Sequence, residues 1–145
     1  MDKSKVYDFA QIHHATPYSK WKPQGTKELQ AIVRENLKNK KRRKISIAGA
    51  KYSIGGQTMI DNGIYIDMGN MNRILHIDRK NKFVWVQSGI TWKKLIKTLT
   101  PLNLSVQEMQ SYHNFSVGGS ISVNCHGRGM SCGTISDSIV TLSLM

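Results

Sequence analysis

Acidic side chains, cysteines and long apolar runs are all scarce in this sequence. The 145 residues include only 9 Asp+Glu against 21 Lys+Arg, which gives a formal net charge of +12. The two cysteines, Cys125 and Cys132, are too few for a disulfide scaffold and indicate a reducing compartment. No apolar run reaches the about 18 residues of a membrane-spanning helix, and the first residues lack the apolar stretch of a secretory signal. These absences predict a cytoplasmic, strongly basic domain that combines helices and strands.

Half of the net charge comes from residues 38–44, which we call the basic run. It holds six basic residues, and without them 15 basic residues face 9 acidic ones, a balance of +6. The run ends an amphipathic pattern that predicts a helix with Thr26 as its N-cap. The apolar face of this helix comprises Leu29, Ile32, Val33 and Leu37. Because the helix dipole favours cations at a C-terminus, we interpret the run as a solvated helix end, with nucleic acid, a partner or a membrane surface as alternatives.

After the basic run the apolar pattern becomes alternating and predicts several strands. The predicted strands cover residues 45–48, 64–67, 74–77, 83–87 and 139–145. The third and fourth flank a short polar turn and therefore predict a hairpin. A second helix is expected to begin behind an N-cap at Thr91 and to end at Pro101. The last strand would leave one sheet edge unpaired, which predicts a homo-oligomer formed through that open edge.

Eight of the 12 glycines fall into two windows, residues 49–56 and 118–133. Glycine permits positive φ and close backbone approach, so each window suits either an anion-binding nest of amide groups or ordinary turns. The first window follows a strand but matches neither the dinucleotide fingerprint G-x-G-x-x-G nor the phosphate loop G-x-x-x-x-G-K-[ST]. Neither of those two binding mechanisms is therefore predicted.

Three stretches that contain these glycines stand in a characteristic order. They are IAGAKYSIGGQ at 47–57, FSVGGSIS at 115–122, and HGRG at 126–129 followed by GTISD at 133–137. The first is similar to the pyrophosphate loop G-R-G-H-S-x-x-G-Q of the FAD-linked oxidases, the vanillyl-alcohol oxidase or PCMH-type superfamily, and the second to their second FAD loop. The third resembles the sugar-lactone and alditol oxidases and the decaprenylphosphoryl-ribose oxidases most. Further likenesses at 22–33, 64–71 and 84–95 extend the resemblance from about residue 17 to the end.

The resemblance implies an α+β fold, the PCMH-type FAD-binding domain. Within one domain at residues 1–145, it places a small β-α-β subdomain at about 17–67. A second subdomain, with part of a mixed sheet and helices, would begin at about residue 68 and run to 145. The family's domain continues further and is followed by a substrate domain, so the resemblance predicts a truncated chain without the substrate domain.

The resemblance also implies which residues contact FAD. Backbone amides of the first loop would surround the pyrophosphate, the second loop would cover its other face, and His126 would lie beside the isoalloxazine. The implied contacts are Gly49, Ala50, Lys51, Tyr52, Ser53, Gly55, Gln57, Ser116, Gly118, Gly119, Ser122, His126 and Gly127. Ser120 is an alternative hydroxyl donor to Ser122, and local turn bonding explains either serine equally well. No catalytic residue and no metal ligand is predicted.

Four positions depart from the family's pattern. Tyr52 stands where many members carry a histidine bonded covalently to the flavin, and no cysteine precedes Phe115, where others form a second covalent link. We therefore predict that FAD is bound non-covalently. Ala50 replaces the arginine of the pattern and Lys51 the glycine after it, so Lys51 is expected to restore positive charge against the pyrophosphate.

The function implied by the resemblance is that of the FAD-binding part of an oxidoreductase. The whole enzyme would move a hydride to the flavin from a carbon that bears a hydroxyl, in a sugar-like alcohol or lactone bound through the missing C-terminal part. One alternative is a non-catalytic truncated remnant. Another is a basic nucleic-acid-binding domain around the basic run, which we disfavour because no aromatic residue is interleaved with the charges.

Overall fold

The chain divides into two units, residues 1–71 and 72–145, which we call unit 1 and unit 2. The computed structural model describes residues 4–131 and 133–144, so Cys132 and Met145 lie outside the described residues. Within the described ranges no helix is long and apolar enough to cross a membrane. The same ranges contain no group of three or more His, Cys, Asp or Glu side chains suited to a metal ion.

Helix α1, Thr26–Lys38, covers one side of the sheet of unit 1. Its N-cap is Gly25, whose extended backbone lets its carbonyl accept the first helical hydrogen bond at 3.1 Å. Glu28 in the first turn closes this end of the helix by accepting a bond from Gln24 N at 2.8 Å. The predicted N-cap, Thr26, is therefore wrong by one residue.

The buried face of α1 is shorter than the predicted one. Leu29 and Ile32 are buried against the sheet, whereas Leu37 is 53% exposed. A helix of 13 residues is about 20 Å long, while strands of three or four residues span only about 10–13 Å. The last turn of α1 is therefore longer than the sheet needs, and Leu37 faces solvent.

Unit 1 contains a small hairpin and a parallel sheet. The hairpin pairs β1, Val6–Tyr7, antiparallel with β2, His14–Ala15. In the sheet, β5 (Ile64–Asp67) lies between β3 (Ser19–Trp21) and β4 (Ile45–Ala48), and both neighbours run parallel to it. The strands predicted at 45–48 and 64–67 are confirmed. Strands β1 to β3 are too short for an alternating pattern to predict them.

The basic run is exposed except at Arg43, which has a structural role. Arg43 Nη1 donates to the carbonyl oxygen of Asn62 at 3.0 Å and to Asn62 Oδ1 at 2.7 Å. Its guanidinium also lies 3.5 Å from the centroid of the Tyr18 ring. Arg43 therefore links the end of the basic run to the turn before β5.

Unit 2 begins with the antiparallel hairpin of β6, Ile74–Asp78, and β7, Phe83–Val86, as predicted. Helix α2, Trp92–Leu99, follows, and Thr91 caps it by accepting a bond from Lys94 N at 3.3 Å. A 3-10 turn that contains Pro101 then ends the helical segment. Both predicted ends of this helix are confirmed.

Two further helical segments complete unit 2. Helix α3 covers Val117–Ser122, and a 3-10 turn covers Ile135–Ser138. They pack with α2 around one core, whose buried residues are Ile90, Trp92, Leu95, Leu99, Val117, Cys125 and Ile135. Each apolar residue buried in this way contributes about 1.5–3 kcal/mol, so this cluster is the main source of stability in unit 2.

The strand predicted at 139–145 is wrong over its described part. Residues 139–144 form no strand, and Val140, Leu142 and Leu144 are 65%, 53% and 86% exposed. An extended segment becomes a strand only when a neighbour completes its backbone hydrogen bonds, and no described strand pairs with this one. The predicted self-association through an open sheet edge stays a prediction, because residues 139–144 do not form the strand on which it was based.

Candidate functional site

The first glycine window forms a loop, residues 49–57, between β4 and β5; we call it the first loop. Lys51 takes φ +65° there, a left-handed conformation that residues with a Cβ rarely adopt. Lys51 Nζ lies 2.7 Å from Asp67 Oδ2, at the end of the neighbouring strand β5. The lysine predicted to face a pyrophosphate is thus already paired with a carboxylate.

Electrostatics around this ion pair favour its charged form. Burial lowers the pKa of Lys51, but its hydrogen bond to Asp67, with the charges of Tyr65 and Asp67, outweighs burial and raises the pKa above the ordinary 10.5. Burial raises the pKa of the Tyr65 hydroxyl, and Asp67 adds to that shift while Lys51 opposes it. At neutral pH the ion pair is therefore intact and Tyr65 is neutral.

The far end of the first loop is closed by its own side chains. Gln57 Oε1 accepts a hydrogen bond from Gly55 N at 3.0 Å, which directs the Gln57 amide back into the loop. Gly56 takes φ +71°, which explains a glycine at this position. Gln57 is therefore placed to shape the loop, and its carbonyl oxygen is already used.

The N-terminal hairpin packs on the first loop, a contact that the sequence analysis missed. Phe9 N donates to the carbonyl oxygen of Ser53 at 3.3 Å, and the Phe9 ring stacks on Tyr52 with centroids 4.7 Å apart. Buried Asp8 holds the hairpin turn by accepting bonds from Ile12 N and His13 N at 3.0 and 3.3 Å. The sequence showed only an acid followed by an aromatic residue, Asp8 and Phe9, which does not by itself predict this contact.

A groove of about 410 Å³ lies beside this part of unit 1. Its charged lining consists of Lys5, Lys20, Lys22, Lys51 and Asp67. Lys20 Nζ donates to the backbone carbonyl of Lys5 at 3.0 Å, and Lys51 is paired with Asp67. The groove therefore carries net positive charge, although two of its four cations are held by protein groups.

The second window has a different local structure from the predicted loop. Residues 116–127, which we call the second segment, begin with helix α3, and Ser116 caps it by accepting a bond from Gly119 N at 3.4 Å. The interpretation of 116–122 as a loop is wrong, because Ser116 is a good N-cap and the following residues pack Val117 into the core of unit 2.

Close packing explains two glycines of the second segment. A Cβ on Gly118 would lie 2.9 Å from the carbonyl oxygen of Ser88, to which Gly118 N already donates at 2.8 Å. A Cβ on Gly127 would overlap the Glu108 carboxylate and the Met109 carbonyl. Gly119 is exposed. Gly119 is therefore the most exposed of these three glycines, and a Cβ there would lie 2.9 Å from the Ser116 hydroxyl oxygen.

The serines of α3 are engaged within unit 2. Ser120 is 1% exposed; its Oγ accepts from Trp92 Nε1 at 2.8 Å and donates to Gln110 Oε1 at 2.5 Å. Ser122 Oγ donates to the carbonyl oxygen of Gly118 at 2.8 Å. Local bonding, one of the two interpretations left open above, therefore accounts for both hydroxyls, and Ser120 is not available to a ligand.

His126 is exposed and follows buried Cys125. Its Nδ1 lies 3.3 Å from the carbonyl oxygen of Gly127, and its backbone bridges to Thr134. Burial raises the pKa of the Cys125 thiol, so this cysteine stays protonated and unreactive at neutral pH. Of the neighbours Cys125 and His126, His126 is therefore the one whose side chain faces solvent.

Comparison with known proteins identifies the class to which this chain belongs. A family model described as "FAD binding domain" matches residues 21–145. The chain is therefore a member of this family of FAD-binding domains, and its mixed helices and strands agree with the predicted α+β class.

Several curated relatives have names that describe an oxidase or dehydrogenase of a sugar lactone. The mitochondrial L-galactono-1,4-lactone dehydrogenase of Arabidopsis thaliana is 25% identical over 144 residues, which cover 99% of this chain and 23% of the relative. The L-gulonolactone oxidase of Mus musculus is 27% identical over 138 residues, which cover 95% of this chain and 31% of the relative. The mitochondrial L-galactono-1,4-lactone dehydrogenase 2 of Oryza sativa subsp. japonica is 32% identical over 104 residues, which cover 72% of this chain and 18% of the relative. The chain thus spans less than a third of the length of these relatives.

Proposed function

We propose that this chain binds FAD non-covalently and is the cofactor-binding portion of an oxidoreductase that acts on a sugar-like lactone or alcohol. The observation that carries the proposal is the family match over residues 21–145, together with relatives named for lactone oxidation. When bound, FAD supplies the hydride acceptor, and the protein supplies binding and orientation.

The composition of the first loop suits a diphosphate. Gly49, Ala50 and Ser53 are small, so their side chains leave room for an anion beside the backbone, and the left-handed turn at Lys51 is a conformation typical of anion-binding nests. In the second segment, exposed Gly119 and His126 are the residues that we propose for cofactor contact. Gly118, Ser116 and Gly127 would act by shaping the backbone, since each is engaged in packing or capping.

Non-covalent attachment follows from chemistry in the first loop. Tyr52 stands at the position of the family's flavin-linked histidine, and its ring stacks on Phe9. After acid precipitation of FAD-loaded protein, we expect all flavin in the supernatant and an unmodified protein mass. A protein mass increased by that of FAD would contradict this part of the proposal.

FAD binding is tested by titration of the full chain, with flavin fluorescence as the readout. Ala50→Asp places a negative charge in the first loop and should weaken binding at least tenfold, since about 1.4 kcal/mol of repulsion suffices. Ala31→Asp is the matched control, because Ala31 is exposed on α1 and is not part of the first loop. Equal affinities of the two variants would contradict assignment of the first loop, and no saturable binding by the wild type would contradict FAD binding itself.

Substrate class is tested without oxygen on FAD-loaded protein that also contains the substrate domain implied by the family resemblance. There L-galactono-1,4-lactone and L-gulono-1,4-lactone should bleach the flavin absorbance, whereas a nicotinamide nucleotide should not. Bound flavin that no lactone or sugar alcohol reduces in that longer protein would favour the alternative of a non-catalytic FAD-binding chain.

A further inference from the structure

Lys51 combines an unfavourable backbone conformation with a specific side-chain partner. Its φ of +65° is unfavourable for a residue with a Cβ, because the Cβ comes too close to the following carbonyl oxygen. Such a conformation persists only when surrounding contacts hold it. The contact that the structure provides is the ion pair from Lys51 Nζ to Asp67 Oδ2 at 2.7 Å.

Asp67 is the fixed partner of this pair. Its backbone is paired with Ala48 in the parallel ladder, and its Oδ1 accepts a bond from Gly69 N at 2.9 Å. The Asp67 side chain is only 13% exposed, whereas that of Lys51 is 48% exposed. The carboxylate is therefore held by strand and turn, and the lysine reaches to it from the loop.

We propose that Asp67 is a positioning residue, which holds Lys51 in its left-handed conformation through the ion pair and so shapes residues 49–53 before a ligand binds. This inference rests on the proposed function, because the loop it shapes is the one assigned to FAD. Lys51 then acts as a tether within the protein, and its charge is neutralised by Asp67. That role differs from the expectation that Lys51 compensates the charge of the pyrophosphate.

The two roles predict opposite effects of Asp67→Asn. If Lys51 is a tether, removal of the carboxylate charge loosens the loop and weakens FAD binding. If Lys51 is a counterion for the ligand, the same variant frees its charge and strengthens FAD binding. The sign of the change in affinity therefore separates the two roles.

The experiment titrates FAD against four variants of the full chain: Lys51→Gly, Lys51→Ala, Asp67→Asn, and Lys51→Gly combined with Asp67→Asn. We expect Lys51→Ala to weaken binding about tenfold, since it keeps the strain and loses the tether. Lys51→Gly should weaken binding less, because glycine adopts positive φ without strain. Asp67→Asn should weaken binding in the wild type and have no effect on Lys51→Gly.

A second readout needs no ligand. Backbone hydrogen exchange at residues 49–53 should be faster in Asp67→Asn and Lys51→Ala than in the wild type. Lys22→Ala is the matched control, since it removes an exposed cation from the same groove without touching the pair. Unchanged exchange in Asp67→Asn, or tighter FAD binding by that variant, overturns the tether. A wild type that binds no FAD overturns the proposed function, and the exchange comparison still decides the tether.

Discussion

The first loop and the second segment are both rich in glycine, yet their shapes have different causes. In the first loop, side chains hold the backbone: Lys51 pairs with Asp67, and Gln57 bonds to Gly55 N. In the second segment, glycines are required where another backbone comes close, as at Gly118 and Gly127. A glycine window therefore shows where the backbone turns or closely approaches another segment, and it does not by itself indicate a ligand site.

The largest expected effect tests the packing side of this comparison. Gly127→Ala should lower the free energy of unfolding by about 3 kcal/mol, because its Cβ would overlap the Glu108 carboxylate and a backbone carbonyl. Gly55→Ala is the counterpart in the first loop and should cost less than about 1 kcal/mol, since its Cβ meets the end of the flexible Gln57 side chain. Urea unfolding measures both. Equal losses would remove the proposed difference between the regions.

An intermediate effect is expected from the buried hydroxyl of the second segment. Ser120→Ala leaves Trp92 Nε1 and Gln110 Oε1 without this partner and should lower the free energy of unfolding by about 1–3 kcal/mol. Ser122→Ala is the control on the same helix, because its exposed hydroxyl bonds only to the carbonyl oxygen of Gly118. We expect the control to change stability by less than about 0.5 kcal/mol. A Ser120→Ala variant as stable as the control would show that this network contributes nothing.

The smallest effect is a pH dependence in the first loop. The pKa of Lys51 is raised on folding, so its contribution to stability is complete below 10.5 and is lost as pH rises through the folded pKa. The Tyr65 pKa is also raised, so its contribution is likewise lost above pH 10.0. The free energy of unfolding is measured between pH 8 and 11.5 in the wild type and in Lys51→Gly. Its total fall over this range should be smaller in Lys51→Gly by about 0.5 kcal/mol, because the ion pair is partly exposed. Parallel curves for variant and wild type would contradict the coupling.

Local patterns predicted most of the regular elements. The alternation at 45–48 and 64–67, the hairpin around a polar turn, and the helix between Thr91 and Pro101 all appear where expected. These elements depend on neighbours in sequence, on capping and on alternation, which a single chain displays directly. The strand predicted at 139–145 is wrong over residues 139–144, because a strand forms only when a partner, often distant in sequence, pairs with it.

The sequence predicted which segments form the candidate site, but it predicted their local structure and contacts less well. Motif order identified both glycine windows, but it did not show that Ser120 is buried beneath Trp92 or that 117–122 is helical. It also missed Asp67 as the partner of Lys51, although an acid at the end of the predicted strand 64–67 was visible in the sequence. Contacts between residues far apart in the chain leave no local pattern, so these partners could not be read from the windows alone.

The amino-acid sequence was enough to predict the family, the elements from α1 to α2, and the two backbone segments proposed for FAD. Those features depend on residue type and spacing, which motifs retain. Only tertiary contacts show which side chains of those segments are already engaged. Lys51 is bound to Asp67 and Ser120 to Trp92 because parallel pairing and helix packing bring residues 16 and 28 positions apart into contact. The charge of Lys51 is therefore paired within the protein, with the carboxylate of Asp67.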